Sequence, residues 1–248
     1  MQVFFEVHHN LPREGPGSRQ STESAYAVIA SRLHSPKVLD VGCGPGAQTL
    51  CLAELSGGTI TAVDNHAPFL EQLRQRAAAS GQAERITTVL ADMEKLPFED
   101  GTFDLVWAEG SIFIIGVEEG LSCWYPLLRR SGFIAFTEVS WLREDRTDEL
   151  NQFWSEVYPS ISSIEQNMEK LRNTGYGLMD RFTLPQSDWW NEYYGAIRKK
   201  LPALRQKYDG DQEALQVLKM QEEEMELYRR YSSYYGYVFY VAEKKERP

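Results

Sequence analysis

The chain predicts an α/β fold with a mostly parallel, doubly wound sheet, on three observations. Lys37-Val38-Leu39-Asp40-Val41 is a short β-branched and apolar run that stops in Gly42-Cys43-Gly44-Pro45-Gly46, where three glycines alternate before a helical pattern begins. Strand-like and helical patterns then alternate with short connections, as βαβ repetition requires. Leu105-Val106-Trp107 and Ile134-Ala135-Phe136 are apolar at consecutive positions, as suits central strands buried on both faces. A glycine loop between a strand and a helix N-terminus also lets a ligand approach the backbone where a side chain would collide with it. Its G-x-G-x-G spacing is neither the G-x-G-x-x-G of a dinucleotide site nor the ending of a phosphate loop.

Taken in order, residues 1–20 are polar and rich in proline and glycine, with Gly15-Pro16-Gly17-Ser18 as a punctuated loop. Ser21 or Thr22 is the expected cap of a helix to about Leu33, which carries Ala25, Ile29 and Leu33 on one face. Strand 37–41, helix 47–56, strand 59–63, helix 67–80, strand 86–90 and strand 103–108 follow, then a helix at about 118–129 and a strand at Phe133–Val139. Residues 141–160 are aromatic and charged together. A helix at Ile161–Asn173 ends at Gly175, and Leu178–Leu184 reads as a strand. A mainly helical insertion from Pro185 to Ser233 is expected to break at Pro202 and Gly210, and Tyr237–Val241 closes the sheet.

The 248 residues suffice for one large core with a small lid. A formal charge of -10 argues against DNA or structured RNA, which need a basic face. From Ser187 onward acidic and basic residues balance at eleven each, so the negative excess lies in the preceding part. Cys43, Cys51 and Cys123 form neither a disulfide framework nor a zinc pattern. Met1–His9 does not read as a signal peptide, and the apolar run Ser111–Val117 is too short to span a membrane. The expectation is a cytoplasmic protein with reduced thiols.

The D-V-G-C-G-P-G segment resembles motif I of the class I S-adenosylmethionine-dependent methyltransferases, and the element order from about residue 25 to 242 is similar to theirs. Gly15–Ser18, Trp107–Gly110 and Tyr234–Tyr240 resemble segments of a subgroup of small bacterial and archaeal methyltransferases of unassigned substrate. The resemblance implies a Rossmann-like seven-stranded sheet of order 3-2-1-4-5-7-6, with the seventh strand antiparallel. It implies one methyltransferase unit over 1–248: an N-terminal loop and cap helix at 1–33, a cofactor-binding core at 37–139, and inserted lid elements at 141–160 and 185–233. Asp40, Gly42, Gly44 and Gly46 would surround the methionine part of S-adenosylmethionine. Asp64, which ends a strand 18 residues beyond Gly46, would bind the ribose; taken without that spacing it would read as an Asx-type turn or helix cap. Asp92 and Met93 would meet the adenine, and Asn65 and His66 lie within reach of the ribose or adenine edge. S-adenosylhomocysteine would be the product.

Glu109 and Glu138 end the fourth and fifth strands, at the sheet edge where ligands bind in such folds, and are the candidate catalytic anchors. Arg13, Trp141, Trp190, Tyr194 and Tyr235 are the candidate acceptor-binding residues, although most of the aromatic residues are expected to be core. The expected chemistry is direct methyl transfer by inversion to a small molecule, with no metal and no assigned base. His8, His9 and His66 are each open as a base. Acidic and aromatic walls favour an amine or other nitrogen nucleophile. Arg13 and Arg19 point instead to O-methylation of a small acid or phenol. A nucleic-acid methyltransferase, for which no N/D-P-P-Y segment follows strand four, and a non-catalytic cofactor-binding protein are further alternatives. Inserted helix faces could support a homodimer.

Overall fold

The computed structural model describes residues 2–245. In chain order the elements are α1 (Gln2–His8), α2 (Arg19–Ala27), β1 (Lys37–Val41), α3 (Ala47–Ser56), β2 (Thr59–Asp64), α4 (Ala67–Ala79), β3 (Ile86–Leu90), β4 (Phe103–Ala108) and α5 (Val117–Trp124). They continue with β5 (Leu128–Trp141), α6 (Asp148–Val157), β6 (Ser162–Ser163), α7 (Ile164–Asn173), β7 (Tyr176–Thr183), α8 (Gln186–Trp189), α9 (Gly195–Lys207), α10 (Gln212–Tyr231) and β8 (Tyr235–Lys244). A π-helical turn, Trp190–Tyr194, joins α8 to α9.

The strands lie in the order β3-β2-β1-β4-β5-β8-β7, and β8 runs antiparallel to both neighbours. This is the expected 3-2-1-4-5-7-6 order, with one addition: two-residue β6 pairs beside the end of β5. Consecutive apolar residues do go to opposite faces. Leu39, Val106, Ile134 and Phe136 pack with α5 and α7 on one side, while Val38, Leu105, Phe133 and Phe239 pack with α2 and α3 on the other.

Several boundaries move for identifiable reasons. The helix expected from Ser21 or Thr22 starts earlier, because Ser18 Oγ accepts from Ser21 N at 3.1 Å. Ser21 and Thr22 instead spend their hydroxyls on tertiary bonds, to Asp188 at 2.6 Å and to Glu109 at 2.7 Å. The helix expected to reach residue 129 stops at Trp124, two residues before Pro126, which cannot donate into a continuing helix. Pro202 does not break its helix. It sits inside α9 on the solvent face, where water reaches the carbonyl it leaves unbonded. Gly210 does break the run, at φ 84°, and Asp211 then caps α10. Residues 1–20 are not all loop: α1 packs against α9 and α10, and Lys200 Nζ donates to the carbonyls of Glu6, Val7 and His9 at 2.7, 2.7 and 2.6 Å. That ammonium satisfies the carbonyls orphaned at the helix end.

A third core is aromatic and belongs to the added helices. Trp189 stacks on Tyr228 at 4.0 Å, and Trp154 meets Tyr235 edge-on at 4.9 Å. Rings of this size let short helices bury enough apolar area to hold together.

Glu138 places a carboxylate inside the sheet. Glu138 is 1% exposed, and strand alternation sets it on the face opposite Thr137 and Val139. No hydrogen bond reaches either oxygen among the described residues; the Tyr158 phenol is near enough to favour the charged form, outside hydrogen-bond geometry. Burial pushes the Glu138 carboxyl up to about 8, from an ordinary value of 4.5. Glu138 therefore sits within the sheet and away from the walls of the cavities described below, because β5 turns it to the α7 side.

Two consequences can be measured. Between pH 4.5 and about 8 the native state holds a proton on Glu138 that the unfolded chain has released, so this group makes stability fall as pH rises. Urea titrations should show wild type losing ground to Glu138→Gln across that window. A wild type that gains on the variant with rising pH would mean the charged carboxylate is paired. At Gly46, φ is 89° and a Cβ would stand 2.2 Å from Leu73 Cδ1. Gly46→Ala should therefore cost about 1–3 kcal/mol, read as a lower urea midpoint; an unchanged midpoint contradicts the strain.

Candidate active site

The loop after β1 is held in shape by its own backbone and by β2. The amides of Gly42 and Cys43 both donate to Val63 O, at 2.8 and 2.9 Å, and Gly46 N donates to Cys43 O at 3.1 Å. Gly42 has φ 71°, and a Cβ there would lie 2.4 Å from Ser111 Cβ, so the segment after β4 can close on the loop only over a glycine. Ser111 Oγ donates to Val41 O at 2.6 Å and fixes that approach.

Asp40 does not face the loop's open side. It is fully buried, accepts from Thr49 Oγ1 at 2.6 Å, and has Gln48 Nε2 at 3.4 Å. Burial pushes its carboxyl up to about 7. Its work is to tie β1 to α3, and the expectation that it touches the methionine part is corrected on that ground. Asp64 joins two roles. Its Oδ2 accepts from Gly44 N at 2.9 Å, its Oδ1 accepts from His66 N at 2.8 Å, and the same side chain lines a cavity. Burial raises its pKa. Asn65 is exposed and Met93 half-buried on the wall of that cavity, where His66 also meets Phe69 edge-on at 4.6 Å. Asp92 is not part of the wall. It is exposed, and its carboxylate accepts from Glu94 N at 3.0 Å to fold the turn.

Three cavities meet here. One of about 50 Å³ lies between Gly42–Pro45 and the segment Arg13–Pro16. A second, about 260 Å³, runs over Asp64, Asn65 and Met93. The third, about 340 Å³, opens between the N-terminal segment and the aromatic helices. Glu14 and Gly110 line all three.

The roof over this junction is the N-terminal segment, and Glu109 holds it down. Its side chain is 4% exposed, and its oxygens accept from Arg13 Nη1 at 2.9 Å, Thr22 Oγ1 at 2.7 Å and Trp107 Nε1 at 2.9 Å. Arg13 also pairs with Glu192 at 3.1 Å. Arg76 adds a second tie, donating to the carbonyls of Leu11, Pro12 and Pro45 at 3.2, 3.3 and 3.1 Å. Glu109 and Arg13 are thus consumed by each other, and neither is left as an acceptor anchor. Arg19 pairs on the surface with Glu23 and Glu54.

The aromatic assignments fare differently. Trp141, Tyr194 and Tyr235 are buried in the aromatic core, outside the lining of the 340 Å³ cavity. Trp190 lines a separate surface groove with Arg198 and Pro202. The rings that do line the 340 Å³ cavity include Phe113, Trp154, Tyr158, Trp189, Tyr193 and Tyr237. Trp189 and Tyr193 are four residues apart across the π-helical turn, a spacing that could have signalled a shared face. Such turns recur at functional sites. His8, Glu14 and Glu224 were not legible as a set, because they come from α1, a loop and α10. Glu224 is open to the cavity yet deep, accepts from Tyr194 Oη at 2.7 Å, and has its carboxyl pKa raised by burial. His8 Nδ1 lies 2.8 Å from Glu14 Oε2. Among the described residues no cluster of His, Cys, Asp and Glu could hold a metal ion, and no helix is long and apolar enough to cross a membrane.

Comparison with known proteins agrees with this geometry. Residues 38–132 match a family described as a methyltransferase domain. Over 154 residues the chain is 33% identical to malonyl-acyl-carrier protein O-methyltransferase of Salmonella typhimurium, covering 62% of this chain and 55% of that protein. The chain spans about half the length of the first curated relatives it matches. In fold it resembles a methyltransferase of Thiobacillus denitrificans solved with S-adenosylhomocysteine, at TM-score 0.83 and 21% identity over 99% of each chain. It also resembles the cyclase SpnF, at TM-score 0.77 and 19% identity over 99% of this chain and 92% of that one. Residues 38–132 thus match a methyltransferase domain, set in a sheet whose strand order is that of the class I S-adenosylmethionine-dependent methyltransferase fold.

Proposed function

We propose that the protein transfers the methyl group of S-adenosylmethionine to a small acceptor bearing an amine or another nitrogen nucleophile. The observation that carries this reading is the 340 Å³ cavity: it adjoins the glycine-loop cavities, is walled by aromatic rings, Glu14 and Glu224, and includes no Lys or Arg in its lining. Carboxylates and π faces favour cations, and more strongly when water is displaced.

The residues present fit the cofactor. A glycine cradle leaves the loop backbone open, and the amides starting α3 favour a carboxylate. Asp64 and Asn65 would meet the ribose, while Met93 and Phe69 would border the purine. The cofactor supplies an activated methyl group on a sulfonium. The protein then has only to place the acceptor lone pair, exclude water and steady the charge.

O-methylation of a small acid, the alternative raised by the Salmonella relative's name, lacks its expected cation here. Arg13 lies outside this lining and is held by Glu109 and Glu192, no guanidinium or ammonium lines the cavity, and its one imidazole, His8, sits against Glu14. The same lack of basic walls and the charge of -10 speak against nucleic acid. A non-catalytic binding protein would need no shaped second cavity.

Incubation with methyl-labelled cofactor and a panel of small amines, acids and phenols should place the label on nitrogen. Label on a carboxylate ester or in RNA overturns the reading. Glu224→Gln should raise the acceptor KM about 10- to 100-fold, the loss of a charged partner, with cofactor affinity within about twofold. An unchanged KM removes Glu224 from the acceptor site.

A further inference from the structure

The loop that would surround the amino-acid end of the donor has acids around it, and almost all are spoken for. Asp40 is buried behind the loop against Thr49 and Gln48. Asp64 takes the amides of Gly44 and His66, one on each oxygen. Glu109 takes Arg13, Thr22 and Trp107. Glu14 differs. Its Oε2 is held by His8 Nδ1 at 2.8 Å, whereas its Oε1 is buried and meets no hydrogen-bond partner among the described residues. Its Cγ stands 3.5 Å from where a Cβ on Gly44 would be, so the carboxylate stem lies over the middle of the glycine loop. Glu14 also lines all three cavities, at the point where they join.

We propose that Glu14 Oε1 receives the α-ammonium of the methyl donor, with His8 as the positioning residue that holds the carboxylate; this rests on the cofactor reading above. A buried carboxylate oxygen without a partner is costly, and a ligand ammonium removes that cost through a charge-assisted hydrogen bond. The donor's carboxylate then meets the amides at the start of α3, which line the same 50 Å³ cavity through Ala47 and Gln48. Zwitterion recognition is thereby split between the helix and the roof. Binding the donor clamps the N-terminal segment onto the loop, and that segment is also a wall of the acceptor cavity.

Calorimetry with two ligands tests this. S-adenosylhomocysteine carries the ammonium; 5′-methylthioadenosine lacks the amino-acid end and reports the nucleoside site alone. Glu14→Gln should weaken S-adenosylhomocysteine about 10-fold or more and leave 5′-methylthioadenosine within about twofold, the second ligand showing that the variant is folded. Glu14→Asp should restore part of the difference. Equal weakening of both ligands overturns the proposal, since Glu14 would then only shape the roof. Unchanged affinity with a raised acceptor KM also overturns it and gives the carboxylate to the acceptor. If wild type binds neither ligand, the cofactor reading itself fails.

Discussion

The buried contact between Arg13 and Glu109 is the constraint on which the site's shape depends. Glu109 directly follows β4, and next to it Gly110 turns the chain with φ 64° and donates to Thr137 Oγ1 at 2.8 Å. A carboxylate fixed there by the sheet fixes in turn whatever it binds, and it binds Arg13. Gly17 lies against the same pair: a Cβ would stand 3.1 Å from Arg13 Nη1 and 3.3 Å from a Glu109 oxygen. Desolvating two charges is costly, and such pairs add little net stability compared with apolar packing. Breaking one is different, because the remaining charge is stranded at a cost of about 3–5 kcal/mol. The pair is therefore best understood as a device for location. It carries His8, Glu14 and Pro16 to positions where they wall cavities that the sheet alone would leave open.

The molecule divides its labour accordingly. The sheet and the loop after β1 are backbone structures, held by ladder bonds and by carboxylates turned inward, such as Asp40. The larger cavity beside them is walled mainly by side chains. Its rings belong to a small aromatic core in which Trp189, Tyr228 and Tyr235 pack together. Of Tyr193 and Tyr194, stacked at 5.0 Å, one reaches the cavity and the other bonds Glu224. A π-helical turn at that place sets which ring does which.

What the sequence made legible follows from how local each signal is. Strand order and the position of the glycine loop depend on spacing along the chain and are readable there. Asp92 is ambiguous in sequence because an acid that folds a turn and an acid that meets a ligand occupy the same strand end; here its Oδ1 accepts from Glu94 N, and it lies outside the cavity lining. Glu138 was misread because strand phase, fixed by pairing of β5 with β8, turns it to the other face. The choice of Trp141, Tyr194 and Tyr235 failed because pocket and core rings come from the same clusters and differ only in packing. Arg13 carries no local sign of its partner, which lies 96 residues away. Glu14 leaves no local signal in the polar, proline- and glycine-rich residues 1–20, since its place is set by α1 delivering His8 beside it.

The N-terminal segment walls the cavities at the glycine loop, and Glu109 holds it there through Arg13. Amide hydrogen exchange with and without S-adenosylhomocysteine tests that claim directly. Slower exchange is expected in 9–17 together with 42–48, with loss of the 9–17 effect in Glu109→Gln. Protection confined to 42–48, with 9–17 unchanged by the ligand in wild type, would contradict it.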